Sequence, residues 1–200
     1  MNDLYRTIEG PSEGQFRDRG SRFLGFAFPV DHENDIQQRI AELKRHYHDA
    51  RHHCYAWRLG ADMEQYRVGD DGEPSGTAGK PILGQIRSRE LTQILVVVVR
   101  YFGGTLLGTG GLANAYRSAA SDALDRAAIV ERKVESRLQL EFNYSSMNKV
   151  MKVIRDYQAE IETQQFDTEC SIVVHIWNRN LERVLDLVTR IEGCRASLLT

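Results

Sequence analysis

The chain has 200 residues, 42% hydrophobic and 27% charged, with 26 basic against 28 acidic side chains and a formal net charge of −2. This is ordinary globular composition, and it excludes a protein that holds nucleic acid through overall basicity, so any polyanion site must be local. Cys54, Cys170 and Cys194 lie far apart and form no CxxC, which excludes a disulfide framework or zinc knuckle and fits a reducing compartment.

In chain order, the first twenty residues are polar and predict a loosely held arm. The opening segment has no charged stretch followed by an apolar one, and the longest apolar run, 94–99, is far too short to span a bilayer, so the expectation is a cytoplasmic protein without membrane anchoring. A strand is expected at 21–30. Asn34 with Gln37 resembles a capping box, and Ile36, Ile40, Leu43 and Tyr47 recur at helical spacing, predicting a helix to about His48. His53, Tyr55 and Trp57 alternate with Cys54, Ala56 and Arg58 as in a strand, with 65–68 as its hairpin partner. Pro81 suits a helix's first turn, so 79–90 predicts a helix with Lys80 at its positive end. Residues 92–99 are apolar on both faces and read as a central strand. Leu112, Ala115, Tyr116, Ala119, Ala123 and Ala127 trace one face of a third helix, whose small residues imply close packing on a sheet.

After about residue 132 the pattern changes. Leu138, Leu140, Phe142 and Tyr144 alternate with polar residues, Ser145 is a candidate cap for a helix with Met147, Val150, Met151, Ile154 and Tyr157 inside, and 161–166 and 172–177 read as strands. A second helix through Leu181, Val184, Leu185, Val188 and Ile191 and a last strand at 195–199 complete a ferredoxin-like βαββαβ order. The expected domains are therefore 1–132 and 133–200. Charge is balanced in both, with 17 basic against 18 acidic residues up to 132 and 9 against 10 after it.

Two glycine-rich stretches bracket the central strand: Asp70-Asp71-Gly72-Glu73-Pro74-Ser75-Gly76-Thr77-Ala78-Gly79-Lys80-Pro81, and Arg100-Tyr101-Phe102-Gly103-Gly104-Thr105-Leu106-Leu107-Gly108-Thr109-Gly110-Gly111. The first fails the P-loop pattern at both ends, because Pro74 and Pro81 stand where glycine and a hydroxyl are needed. A looser anion site on the amides of Gly76 and Gly79 with Lys80 stays open beside a purely structural loop. Gly108-x-Gly110-x-x-Ala113 formally fits a dinucleotide fingerprint, but eight residues separate it from Val99, and a non-Rossmann glycine loop is the better reading. Asp70, Asp71 and Glu73 could assist a metal that accompanies a phosphate, or be solvated turn formers. His46, His48, His52 and His53 lack convincing zinc spacing. No metal and no cofactor is expected.

With both loops written out, the chain resembles the IMPACT family. The resemblance rests on Ser21-Arg22-Phe23, on Ala50-Arg51-His52-His53-Cys54-Tyr55-Ala56-Trp57, on both glycine stretches, and on Leu112 to Ala115-Tyr116. At Ala113-Asn114 many relatives carry Val followed by Lys or Arg, so any polyanion contact a basic side chain makes there is one this chain lacks. The resemblance implies an α+β protein: an N-terminal ribosomal protein S5 domain 2-like α/β sandwich, also seen in elongation factor G domain IV, plus a C-terminal ferredoxin-like domain as in domain V of that factor. It further implies a role near translation. Eukaryotic relatives restrain a starvation-responsive kinase pathway by binding a ribosome-associated activator, without catalytic residues that carry over. The expectation is a binding protein, with RNA, the ribosome or a ribosome-associated protein as partner. The expected contact surface is Arg22, Gly76, Gly79, Lys80, Arg100, Tyr101, Gly103, Gly104, Gly108, Gly110, Gly111 and Arg117. The alternative is an enzyme on a small phosphorylated or nucleotide ligand.

Overall fold

The alternating and helical patterns become eleven strands and five α-helices among residues 3–167 and 170–199, which a computed structural model describes. Residues 1, 2, 168, 169 and 200, which belong to the expected arm and C-terminal half, lie outside the described residues. The architecture is α+β in two compact units, the first Tyr5–Arg132 and the second formed by Lys133 onward together with the residues up to Leu4. No helix among the described residues is long and apolar enough to cross a membrane.

In the first unit, strands β1 (Leu4–Ile8), β2 (Ser12–Asp18) and β3 (Ser21–Pro29) lead into helix α1 (Glu33–His46). Two strands thus occupy most of the segment expected to be a loose arm. Their order comes largely from partners remote in sequence: β1 pairs with a strand near residue 130, and β2, besides its hairpin with β3, packs beneath a helix a hundred residues later. The helix start also differs from expectation, because the Asp35 carboxylate, not Asn34 and Gln37, accepts from the flanking amides of Asp31 and His32.

Strands β4 (His52–Leu59) and β5 (Gln65–Gly69) form the expected antiparallel hairpin. Helix α2 (Gly79–Ser88), strand β6 (Ile94–Tyr101), helix α3 (Gly108–Asp125) and strand β7 (Ile129–Lys133) follow. The five-stranded sheet has the order β2-β3-β6-β4-β5, and its pairs are antiparallel. Strand β6 is central because it is apolar on both faces. Val96 and Val98 join Phe23, Ala56, Ile82, Ile86 and the alanines of α3 on one side, while Leu95, Val97 and Val99 meet Phe26, Ile36, Leu43 and Trp57 beneath α1 on the other. Helix α3 lies almost directly on the sheet. A Cβ at Gly25 would stand 2.4 Å from the Ala119 carbonyl oxygen, and one at Gly14 only 2.2 Å from the Ala123 nitrogen.

In the second unit, β8 (Glu135–Phe142), α4 (Met147–Asp156), β9 (Glu160–Phe166), β10 (Cys170–Trp177), α5 (Asn178–Thr189) and β11 (Arg195–Leu199) make a four-stranded antiparallel sheet in the order β11-β8-β10-β9. Leu138, Leu140, Ile172 and Val174 pack on Val150, Ile154, Val184 and Val188 of the two helices. The alternate residues Arg137, Gln139 and Ser171 stay on the other face, as a period of two demands.

Candidate functional site

The two glycine stretches meet on one side of the first unit and enclose a pocket of about 370 Å³. They do not contribute in the same way. In the first, strand β5 delivers Asp70 to the start of α2, where its carboxylate accepts from three amides: Gly76 N–H to Oδ2 at 2.7 Å, and Ala78 and Gly79 N–H to Oδ1 at 3.1 and 2.8 Å. An internal anion therefore occupies the positive end of this helix. This corrects the expectation that the amides of Gly76 and Gly79 receive a ligand. Gly79 is glycine for packing, since a Cβ would lie 2.8 Å from Val68 Cβ. Lys80 projects into solvent and does not line the pocket.

The three acids also prove structural. Asp70 is engaged as above, and Asp71 accepts from the His53 amide at 2.7 Å and from Lys44 Nζ at 3.2 Å. Glu73 is buried and accepts from Arg100 Nη1 at 2.5 Å and from the Tyr116 hydroxyl at 2.7 Å. Because each acid is held by the protein's own donors, the metal-assisting role is withdrawn. Arg100 is likewise no free surface cation. It is only 5% exposed, its charge is matched by Glu73, and its guanidinium stacks over the rings of Phe23 at 5.4 Å and Phe102 at 5.7 Å. Its Nε is enclosed without an acceptor.

Behind this ion pair, Cys54 Sγ lies 3.0 Å from the Asp70 carbonyl oxygen and 3.4 Å from the Tyr116 oxygen, and burial pushes its thiol up to about 12. Burial also drives the Tyr116 hydroxyl far above its ordinary range. Both groups stay protonated at neutral pH and act as fixed donors.

The second stretch is open. Gly103 backs onto Gly20, with a would-be Cβ 1.9 Å from the Gly20 carbonyl carbon, and donates its N–H to Ser21 Oγ at 3.1 Å, so it is an anchor rather than a contact. Gly104 and Gly108 take φ of +87° and +71°, which turns the chain into α3. At the start of α3 no side chain caps the helix, its first turn carries no acid, and the amides of Gly108, Thr109 and Gly110 have no acceptor among the described residues. Gly108 and Thr109 line the pocket. Strand β6 and its neighbours are antiparallel, so this loop is not a dinucleotide turn inside a βαβ unit.

Three further expected residues fall outside the pocket. Strand alternation turns Tyr101 to the face opposite Arg100, where its hydroxyl donates to Asp49 at 2.8 Å and Arg22 stacks over its ring at 5.7 Å. Arg117 is exposed further along α3. Sequence reasoning had not placed Arg51 and His52 on the polar wall, or Phe102, Leu106, Leu107 and Leu112 on the apolar one. His52 Nδ1 lies 2.8 Å from the Asp71 carbonyl oxygen, which only accepts, so Nδ1 carries the proton and Nε2 faces Glu73 at 3.8 Å. The signal lay in the Arg51-His52-His53-Cys54 run, which carries part of the family resemblance and the alternation of β4, but its place on the pocket wall depends on the fold.

The fold and this pocket define a class: a two-unit α+β protein with a glycine-framed, partly basic cleft on its first unit. Residues 19–124 match the Impact N-terminal domain. The chain is 38% identical over 165 residues to an IMPACT family member of Haemophilus influenzae, covering 81% of this chain and 80% of that one. It is 28% identical to the IMPACT family member YvyE of Bacillus subtilis over 99% of this chain and 91% of the relative, and 43% identical to YigZ of Escherichia coli over 62% of each. A crystal structure described as that of a hypothetical protein superposes with a TM-score of 0.76 at 28% identity, covering 100% of this chain and 98% of that one. The chain belongs to the IMPACT family.

Proposed function

We propose that this protein is a cytoplasmic, translation-associated regulator that binds RNA, on the ribosome or apart from it, at the open second glycine loop. The observation that carries the reading is the contrast between two helix starts, one filled by Asp70 and the other unoccupied by any internal anion beside Arg51 and Arg100. Helix starts of the second kind favour phosphate, because their free amides and aligned dipoles both attract negative charge. Lys80 and Arg117 serve as outer cations. Resemblance of the first unit to the ribosomal protein S5 domain 2 fold and of the second to a ferredoxin-like domain supports a ribosomal setting.

The test is salt-graded co-sedimentation with ribosomes and filter retention of RNA, using Arg51→Glu and Lys80→Glu together. Both side chains are exposed, so the fold should persist. Binding should weaken and its salt dependence flatten as phosphate contacts are lost; unchanged binding overturns the surface. A second reading, a small phosphorylated ligand, is favoured by the pocket's volume, which falls in the small-molecule range. Thermal stabilisation by a nucleotide with magnesium, without RNA retention, would select it.

A further inference from the structure

We infer that the pocket receives a single terminal nucleotide, with its phosphomonoester at the start of α3 and its base against Phe102 and Leu106. This rests on the RNA reading above and narrows it from a strand to a strand end.

Three features lead there. The floor is closed, because Glu73 and Arg100 are both at least nine-tenths buried and bonded to each other, so a strand cannot thread through the pocket and an end or a lone nucleotide fills it best. The anion side is equipped. Arg51 stands exposed at the wall, Arg100 lines the floor, and the Gly108 and Thr109 amides lack partners among the described residues. A phosphomonoester, carrying roughly −1.5 to −2 at neutral pH, suits this surplus of donors better than a singly charged diester. The opposite wall is apolar yet open to solvent, with Leu106 81% and Phe102 43% exposed, a poor choice for a bare surface and a good one for an aromatic base. Phe102 already faces the Arg100 guanidinium, so a base sliding over its outer side would extend an existing stack.

The experiment measures binding of one short single-stranded RNA in four forms: 5′-phosphorylated, 3′-phosphorylated, hydroxyl at both ends, and circular. Adenosine monophosphate is tested alongside, and Leu106→Asp is the variant. Leu106 is too exposed for this change to disturb the fold, which an unchanged Tm verifies. The expected result is at least tenfold tighter binding of one phosphorylated form than of the hydroxyl-ended and circular RNAs, with that preference lost in Leu106→Asp. Equal binding of all four RNAs overturns the end pocket while leaving RNA binding intact. Binding of adenosine monophosphate alone, abolished by Leu106→Asp, upholds the pocket chemistry with a free nucleotide as its source and overturns the RNA reading. No response to any probe overturns both.

Discussion

Helices α2 and α3 both begin in glycine-rich loops of the first unit, yet Asp70 seals the start of one and, among the described residues, no side chain seals the other. The contrast teaches that glycine density at a helix start says little about ligand binding by itself. The deciding question is where the nearest carboxylate goes. In the first loop Asp70 and Glu73 turn inward while Asp71 is held by Lys44 and the His53 amide, and the loop becomes a wall held by its own charges. In the second, Gly103 anchors the entry on Gly20 and the rest is left to solvent.

The comparison can be broken most forcefully at Glu73. Glu73→Ala leaves Arg100 buried without its carboxylate and should destabilise the protein by about 3–5 kcal/mol in urea unfolding, whereas joint replacement by Leu at 73 and Met at 100 should recover most of that loss. A single-variant loss below about 1 kcal/mol would show that the first loop does not depend on this pair. Next in size, Asp70→Ala removes the acceptor of three amides and should cost about 2–3 kcal/mol. Sulfate should then raise the variant's Tm more than the parent's, by entering the vacated helix start and making α2 resemble α3. Gly103→Ala drives a methyl into the Gly20 backbone and should cost about 1–3 kcal/mol, measured the same way.

A smaller effect should appear with pH. Burial raises the Cys54 thiol from 9.0 to about 12, so between these values the unfolded chain releases a proton that the folded one keeps. Stability is therefore fully present below pH 9 and falls as pH rises, by on the order of 1 kcal/mol at pH 10, and Cys54→Ser should flatten that slope. Burial lowers the His53 imidazole below its ordinary 6.5, so its contribution runs the other way and is lost as pH falls beneath that value. Smallest is Gly110→Ala, whose Cβ would meet nothing within 4 Å. It should stabilise by about 0.5 kcal/mol, and any fall in RNA affinity would then report on the open loop alone.

Element types were legible because they follow from local spacing. The double-faced run of β6 announced a central strand, and the alanine stripe of α3 announced close packing, which Gly14 and Gly25 complete from the sheet. The segment before β3 reads as a loose arm because β1 and β2 have weak patterns of their own; β1 is ordered by the distant β7, and β2 by its hairpin with β3 and by α3 above it. At the site, both glycine stretches were visible, as were Arg100 and the acids. The Glu73–Arg100–Tyr116 contact was not, because it joins residues 27 and 43 positions apart through a fold that must form first. Asp70 escaped notice as a cap because it precedes Gly79 by nine residues, far outside any local capping pattern.

Residue order alone determined the alternation of strands and helices, the two glycine-rich stretches bracketing β6, and the even balance of charge, since these depend on composition, backbone preference and spacing between near neighbours. Tertiary structure alone decided which turn is closed by an internal carboxylate, which arginine is neutralised, and which face of the sheet Tyr101 occupies relative to Arg100. The physical reason is range: a side chain's periodicity is set within a few residues, but the partner that satisfies a buried charge is chosen only when remote segments come together.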